Sequence, residues 1–126
     1  MPKTVPPTPS APKAMGPYSF ATEAAGLVFL SGQVALDPHS GERRPDDVEI
    51  QARQVMDNIG SILDDVGLSY EDIVKTTIFM ADMADYPKVN EVYGSYFGSE
   101  PPARSAIQAG ALPGGFLVEI EVVAAR

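Results

Sequence analysis

The segment IVKTTIFM, residues 73–80, most constrains how this chain of 126 residues can fold. Its β-branched residues predict a strand. One predicted face carries Val74, Thr76, Ile78 and Met80, and the other carries Ile73, Lys75, Thr77 and Phe79. Because both faces are substantially apolar, the strand needs a covering layer on each side.

Two amphipathic segments predict the helices that cover one of these faces. Between residues 48 and 66, apolar residues recur three or four positions apart, at Val48, Ala52, Val55, Ile59, Ile62 and Val66. That spacing is typical of one helix face. Asp46 or Asp47 can cap the start of this helix, and Gly67 fits its end. A second helix is predicted over about residues 85–97.

Further strands complete a predicted order of β-β-α-β-α-β-β. They are expected at residues 18–22, 27–34 and 116–125 and around Arg104, with turn formers between them. Two helices cover only one face of such a mixed sheet, and no segment remains for the other. Another copy of the chain is the economical cover, so the sequence predicts a homo-oligomer.

Composition argues against several classes of function. There is no cysteine, so disulfides and thiolate chemistry are excluded. The net charge is −8, which argues against nucleic acid as the main partner. No apolar run approaches the roughly 18 residues that span a bilayer. Because residues 1–16 contain five prolines, we expect residues 1–15 to form a flexible arm before a single domain, residues 16–126. We expect a cytoplasmic protein without a membrane partner.

Charged residues on two predicted strands are the candidates for chemistry. Arg104 stands among small residues in PPARSAIQAG (101–110), so it is either a surface charge or a grip on a ligand carboxylate. Glu119 and Glu121 share one face of the last strand. That face either meets solvent or places one carboxylate in a pocket, where it can hold or activate water. On adjoining strands, Arg104 and a glutamate could bind an anionic substrate and a water.

Other candidate residues have simpler interpretations. His39 lies in the loop DPHSG and is interpreted as a turn residue. Ser31 has no neighbouring histidine, so no serine-hydrolase triad is predicted. The acidic pairs at 46–47 and 64–65 lack a companion histidine, and no metal site is expected.

Seven segments of the chain form a co-linear set that runs from residue 16 to the C-terminus. They are GPYS (16–19), LSGQ (30–33), QARQVMDNIGSIL (51–63), DIVKTTIFMAD (72–82), VNEVY (89–93), PPARS (101–105) and VEIEVVA (118–124). The set resembles the RidA/YjgF family of enamine/imine deaminases. The resemblance implies a chorismate-mutase-like α+β fold, a mixed sheet with two helices on one face. It also implies a homotrimer whose sheets line a central barrel, with three clefts between subunits.

The resemblance further implies a reaction and its residues. Enamines such as 2-aminoacrylate would be hydrolysed, through 2-iminopropanoate or 2-iminobutanoate, to 2-keto acids and ammonia, with no cofactor or metal. By position, Arg104 matches the arginine that binds the substrate carboxylate, and Glu119 matches the glutamate that orients the attacking water. The other implied cleft residues are Tyr18, Ser31, Gly32 and Asn90. Glu121 is then expected to be structural.

Two departures from the family pattern concern the cleft. Many members carry a cysteine where this chain has Ala106, which removes thiol-based regulation but no step of imine hydrolysis. The segment GALPGGFLVE lacks the basic residue and acidic turn often seen there, so substrate preference can differ. Four alternatives stay open: a non-catalytic binder or sensor of small carboxylates, a relative acting on another small imine or amide, RNA cleavage, and a chaperone-like surface role.

Overall fold

The computed structural model describes residues 2–126 and has the predicted order of elements. These are β1 (Ala21–Ala24), β2 (Leu27–Gln33), α1 (Val48–Asp65), β3 (Ile73–Met80), α2 (Tyr86–Gly94), β4 (Ala103–Gln108) and β5 (Val118–Ala125). Single turns of 3-10 helix lie at Tyr70–Asp72, Met83–Asp85 and Pro113–Gly115.

The strands form one mixed sheet in the order β1-β2-β5-β3-β4. All neighbours are antiparallel except β3 and β4, which are parallel. Helix α2 supplies the crossover that parallel neighbours require. Because β3 lies between β4 and β5, the expectation that Arg104 and Glu119 stand on adjoining strands is wrong.

Both helices pack on one face of the sheet, and the predicted fold class is confirmed. The apolar stripe of α1 and the alternate residues of β5 meet in this core, where Ile59, Ile62, Val118 and Ile120 are completely buried. The predicted ends of α1 are also found. The Asp47 carboxylate accepts hydrogen bonds from two backbone N–H groups of the first turn. Gly67 follows the helix with a φ of +79°, which favours glycine.

Two local predictions differ from the structure. The pairing of β3 with β5 shifts between Ile73 and Lys75, so Ile73 turns into the core and Val74 is 46% exposed. The two residues therefore lie on the faces opposite to those predicted. Helix α2 ends at Gly94 rather than near residue 97, because Tyr96 and the residue after it donate to carbonyls three positions back.

The second face of the sheet carries apolar side chains that no element of the chain covers. Phe29 on β2 is 42% exposed and Ile107 on β4 is 47% exposed. Phe79 lies between these strands and is half-buried. Burial of such side chains by another copy would be favourable by about 25 cal/mol per Å².

The proline-rich segment contacts the domain at two places. Thr4 and Glu23 exchange two backbone hydrogen bonds at the edge of β1, each 2.9 Å long. The backbone N–H and hydroxyl of Ser10 both donate to the Asp65 carboxylate at 2.8 Å. The flexibility of residues 1–15 and the boundary at residue 16 stay predictions. Within residues 2–126, no helix has the length and apolarity needed to cross a membrane.

Candidate functional site

The six predicted site residues fall into two separate pockets. We name the first the glutamate pocket: its volume is about 490 Å³, and its lining is Met15, Tyr18, Ser31, Gly32, Val34, Pro113, Glu119 and Glu121. We name the second the arginine pocket: its volume is about 280 Å³, and its lining is Asn90, Tyr93, Gly94, Pro101, Pro102 and Arg104.

The register of the strands places the two pockets on opposite faces of the sheet. Arg104 pairs with Thr76 of β3, whose side chain is buried beneath the helices. Glu119 pairs with Phe79 of β3. Paired residues share a face, and positions 76 and 79 of one strand point to opposite faces. Arg104 therefore faces the helices and Glu119 faces away, so one chain does not present both side chains to one small ligand.

A local irregularity in β2 forms the floor of the glutamate pocket. The pairing of β2 with β5 shifts between Leu30 and Gln33, as at a β-bulge, and Ser31 and Gly32 lie within this shift. The side chain of Glu119 lies directly against Gly32, since a Cβ added there would be 2.9 Å from the carboxyl carbon of Glu119. Only glycine permits this close approach.

The electrostatics of the glutamate pocket favour the protonated form of its half-buried carboxylate. Burial is the main cause that raises the pKa of Glu119, and the nearby Glu121 carboxylate raises it further. No cation pairs with Glu119 in the part of the chain that the structure describes. A carboxylate with a raised pKa is, when ionised, a stronger proton acceptor than an ordinary surface carboxylate.

Ser31 and Tyr18 have different functions in the glutamate pocket. The Ser31 hydroxyl donates to the carbonyl of Ser19 at 2.6 Å, so its proton is used in holding the segment before β1. The Tyr18 ring packs edge-on against Phe20, with 5.4 Å between centroids. Its hydroxyl oxygen accepts from the N–H of Met15 at 3.4 Å. The O–H of Tyr18 therefore stays available to a ligand.

In the arginine pocket, side chains of α2 hold the guanidinium of Arg104. Nη1 donates to Oδ1 of Asn90 at 2.8 Å, and Nη2 donates to the hydroxyl oxygen of Tyr86 at 2.9 Å. The guanidinium carbon lies 5.2 Å from the ring centroid of Tyr93 and 5.5 Å from that of Tyr86. The Tyr93 hydroxyl is hydrogen-bonded to Thr76 at 2.7 Å, and burial raises the pKa of Tyr93.

Arg104 is thus positioned by neutral groups and keeps its positive charge without a counter-ion. The ion pairs among the described residues join Arg43 to Asp46, Arg44 to Asp37 and Arg126 to Glu23. A guanidinium has five N–H donors, and the hydrogen bonds to α2 leave several of them free. Free donors in a fixed planar fork fit a carboxylate in bidentate fashion.

Sequence reasoning did not assign Tyr86 and Tyr93 to a site. The spacing of residues 86, 90 and 93 could have indicated that they contact the same group. They follow one another at intervals of four and three, which places them on one helix face. Glu121 lines the glutamate pocket beside Glu119, and its expected structural role stays a prediction. Across residues 2–126, no group of three acidic or histidine side chains is arranged to hold a metal ion.

The fold and the pockets define a small α+β protein of the chorismate-mutase-like class, with recesses sized for small molecules. The family model described as Endoribonuclease L-PSP matches residues 8–126. The chain therefore belongs to this family, the RidA/YjgF family, which includes enamine/imine deaminases.

Individual relatives resemble the chain over nearly its whole length. It is 46% identical to a 2-iminobutanoate/2-iminopropanoate deaminase of Mus musculus, over 94% of this chain and 88% of that protein. Among solved structures, the Rid family protein YyfA of Yersinia pestis matches with a TM-score of 0.95 and 44% identity, covering 99% of this chain and 100% of that one. The E. coli protein TdcF with bound serine matches with a TM-score of 0.91 and 39% identity, covering 98% of each chain.

Proposed function

We propose that this protein hydrolyses 2-imino acids, the tautomers of 2-aminoacrylate-type enamines, to 2-keto acids and ammonia. The observation that carries the proposal is the half-buried guanidinium of Arg104, which neutral partners hold in place and no carboxylate of residues 2–126 neutralises. Such a group fits the carboxylate of an imino acid. The deaminase named among the relatives supports the reaction class, and the serine bound to TdcF supports an amino-acid-like ligand.

We further infer that the reaction site forms between two copies of the chain, in a homotrimer with three such clefts. Arg104 and Glu119 face opposite sides of one sheet, so a ligand that contacts both must lie between chains. The uncovered face that bears Phe29 and Ile107 gives copies a reason to associate. A cyclic assembly would set the arginine pocket of one copy against the glutamate pocket of the next.

In the proposed reaction, each residue acts on a stated atom. Arg104 binds the substrate carboxylate, and protonation of the imine nitrogen makes C2 electrophilic. A water held by Glu119 attacks C2, giving its proton to the carboxylate as the C=N electron pair moves to nitrogen. Glu119 then returns the proton to nitrogen. As the C=O bond forms and the C–N bond breaks, Glu119 takes the proton of the C2 hydroxyl and passes it to the departing ammonia, which leaves as ammonium. One water is consumed and no cofactor or metal takes part.

The test of this function is the Arg104→Ala variant in a coupled assay. A serine or threonine dehydratase generates the imine, and semicarbazone formation reports the free imine. Removing the charge-assisted pair should lower kcat/KM by about 30-fold to several thousand-fold, corresponding to roughly 2–5 kcal/mol. Arg53→Ala, which removes an exposed arginine of α1, is the matched control and should keep wild-type activity. Near-normal turnover by Arg104→Ala would refute the assignment.

A binder without catalysis is the second candidate, favoured by the serine seen in TdcF. It would bind serine or 2-ketobutyrate in an Arg104-dependent way and leave the rate of imine loss unchanged. RNA cleavage, suggested by the description of the family model, is disfavoured by the net charge of −8. The proposed location is the cytoplasm, which fits the absence of cysteine in the sequence.

A further inference from the structure

Tyr86 contacts the proposed carboxylate-binding group directly. It is the first residue of α2 and is 36% exposed. Its hydroxyl oxygen accepts a hydrogen bond from Nη2 of Arg104 at 2.9 Å. A ligand anion seated on the free N–H groups of Arg104 would therefore lie within reach of this hydroxyl.

The chemistry of a phenol makes Tyr86 more than a support for Arg104. A phenolic oxygen can accept one hydrogen bond while its own O–H donates another. The bond from the guanidinium uses the acceptor, and no group among residues 2–126 takes the O–H proton. Hydrogen bonds in a chain polarise one another, so accepting from a cation makes this O–H a stronger donor.

We propose that the Tyr86 hydroxyl is a second donor to the ligand carboxylate that Arg104 binds. This inference rests on the proposed function, since it takes Arg104 as the carboxylate site. Arginine and phenol together give a charged donor and a neutral donor that touch each other beside the arginine pocket. The pair selects a carboxylate over a neutral amide of the same size, because only the carboxylate accepts from every donor present and balances the charge.

Tyr93 supplies the matched control for this proposal. Its ring lies about as close to the guanidinium of Arg104 as the ring of Tyr86 does. Its hydroxyl, however, is bonded to the buried Thr76 and faces the core. Tyr93→Phe therefore removes a hydroxyl from a ring beside the same guanidinium without removing a donor that a ligand could use.

The experiment compares wild type, Tyr86→Phe and Tyr93→Phe by calorimetric titration with 2-ketobutyrate and, separately, with 2-ketobutyramide. Loss of a hydrogen bond to a charged group should raise the Kd of Tyr86→Phe for the acid about 10-fold or more. Its Kd for the amide should change little, so the preference for the acid falls. Tyr93→Phe should lose stability but keep that preference. In turnover, Tyr86→Phe should raise KM and leave kcat nearly unchanged.

A second variant separates donation to the ligand from support of Arg104. With 3-fluorotyrosine at position 86, the phenol is a better donor and a poorer acceptor. Tighter binding of 2-ketobutyrate at pH 6.5 supports the proposal, whereas weaker binding overturns it and leaves Tyr86 as a positioning residue.

Two measurements, the binding of 2-ketobutyrate and the rate of imine loss, separate this inference from the proposed function. If wild type turns over imine but Tyr86→Phe keeps wild-type affinity and preference for the acid, the inference fails and the function stands. If Tyr86→Phe weakens binding of the acid but wild type does not accelerate imine loss, the donor role of Tyr86 stands and the deaminase function fails. If wild type binds no 2-keto acid and does not accelerate imine loss, both fail.

Discussion

The arginine pocket and the glutamate pocket are built by different means. At the arginine pocket, side chains on one face of α2 accept hydrogen bonds from Arg104, which lies on β4. In the glutamate pocket, a shift in strand pairing and a missing side chain at Gly32 make room for Glu119. The first arrangement fixes a long side chain by hydrogen bonds, and the second fixes one by backbone shape.

The two pockets also differ in the sign of their charge, and no ion pair among residues 2–126 balances either charge. The hydrogen-bond partners of Arg104 in the described part of the chain, Asn90 and Tyr86, are neutral. Glu119 has a second carboxylate nearby, which raises its pKa. The arginine pocket thus presents a positive charge without a carboxylate, and the glutamate pocket presents carboxylates without a cation. We therefore interpret them as two halves of one site, joined when copies of the chain associate.

The largest effect is expected from adding one methyl group to the glutamate pocket, where backbone shape positions the functional side chain. Gly32→Ala places a Cβ against the carboxyl group of Glu119. Because that group ends a flexible side chain, it should move while the fold persists. A displacement of about 1 Å lowers kcat/KM by about 100-fold. The measurement is turnover in the imine assay, with the free energy of unfolding measured in urea.

Gly98→Ala is the control for this prediction, because Gly98 lines neither pocket. A Cβ at Gly98 meets no atom within 4 Å. This variant should keep its activity. Equal losses of activity in Gly32→Ala and Gly98→Ala would show that the loss does not come from the close contact between Gly32 and Glu119.

A smaller effect is expected from Glu121→Gln, which removes the like charge beside Glu119. Glu121 raises the pKa of Glu119, so its neutralisation lowers that pKa. The reaction needs Glu119 ionised, and activity is therefore lost as the pH falls through this pKa. The acid limb of the kcat/KM profile should move to lower pH in the variant.

The control for this pH shift is Glu71→Gln, which neutralises an exposed carboxylate outside both pockets. Its acid limb should coincide with that of wild type. A Glu121→Gln profile that also coincides with wild type would mean that Glu119 is not the group whose ionisation limits the rate.

Periodicity alone predicted most of the fold, whereas the separation of the pockets depended on information that sequence patterns do not carry. The stripe of α1 and the alternation of β5 identify the core because burial imposes a period on each element. Strand order has no such local signal, so the placement of β3 between Arg104 and Glu119 was missed. The reversed faces of Ile73 and Val74 have the same cause, because a register shift interrupts the alternation.

The most direct test of the central claim, that two copies share one site, is complementation between two inactive variants. Arg104→Ala and Glu119→Gln are co-expressed in equal amounts with different tags. Imine hydrolysis is measured for the whole random mixture and, separately, for assemblies purified through both tags. If each site takes its arginine from one copy and its glutamate from the next, each residue is intact in about half of the sites. About a quarter of the sites in a random mixture therefore keep both residues. Recovery to about a quarter of wild-type activity is the predicted result for the random mixture, and recovery to about a third is predicted for trimers purified through both tags, because one of their three sites keeps both residues. A mixture as inactive as either variant alone, in assemblies shown to contain both, would contradict the shared site.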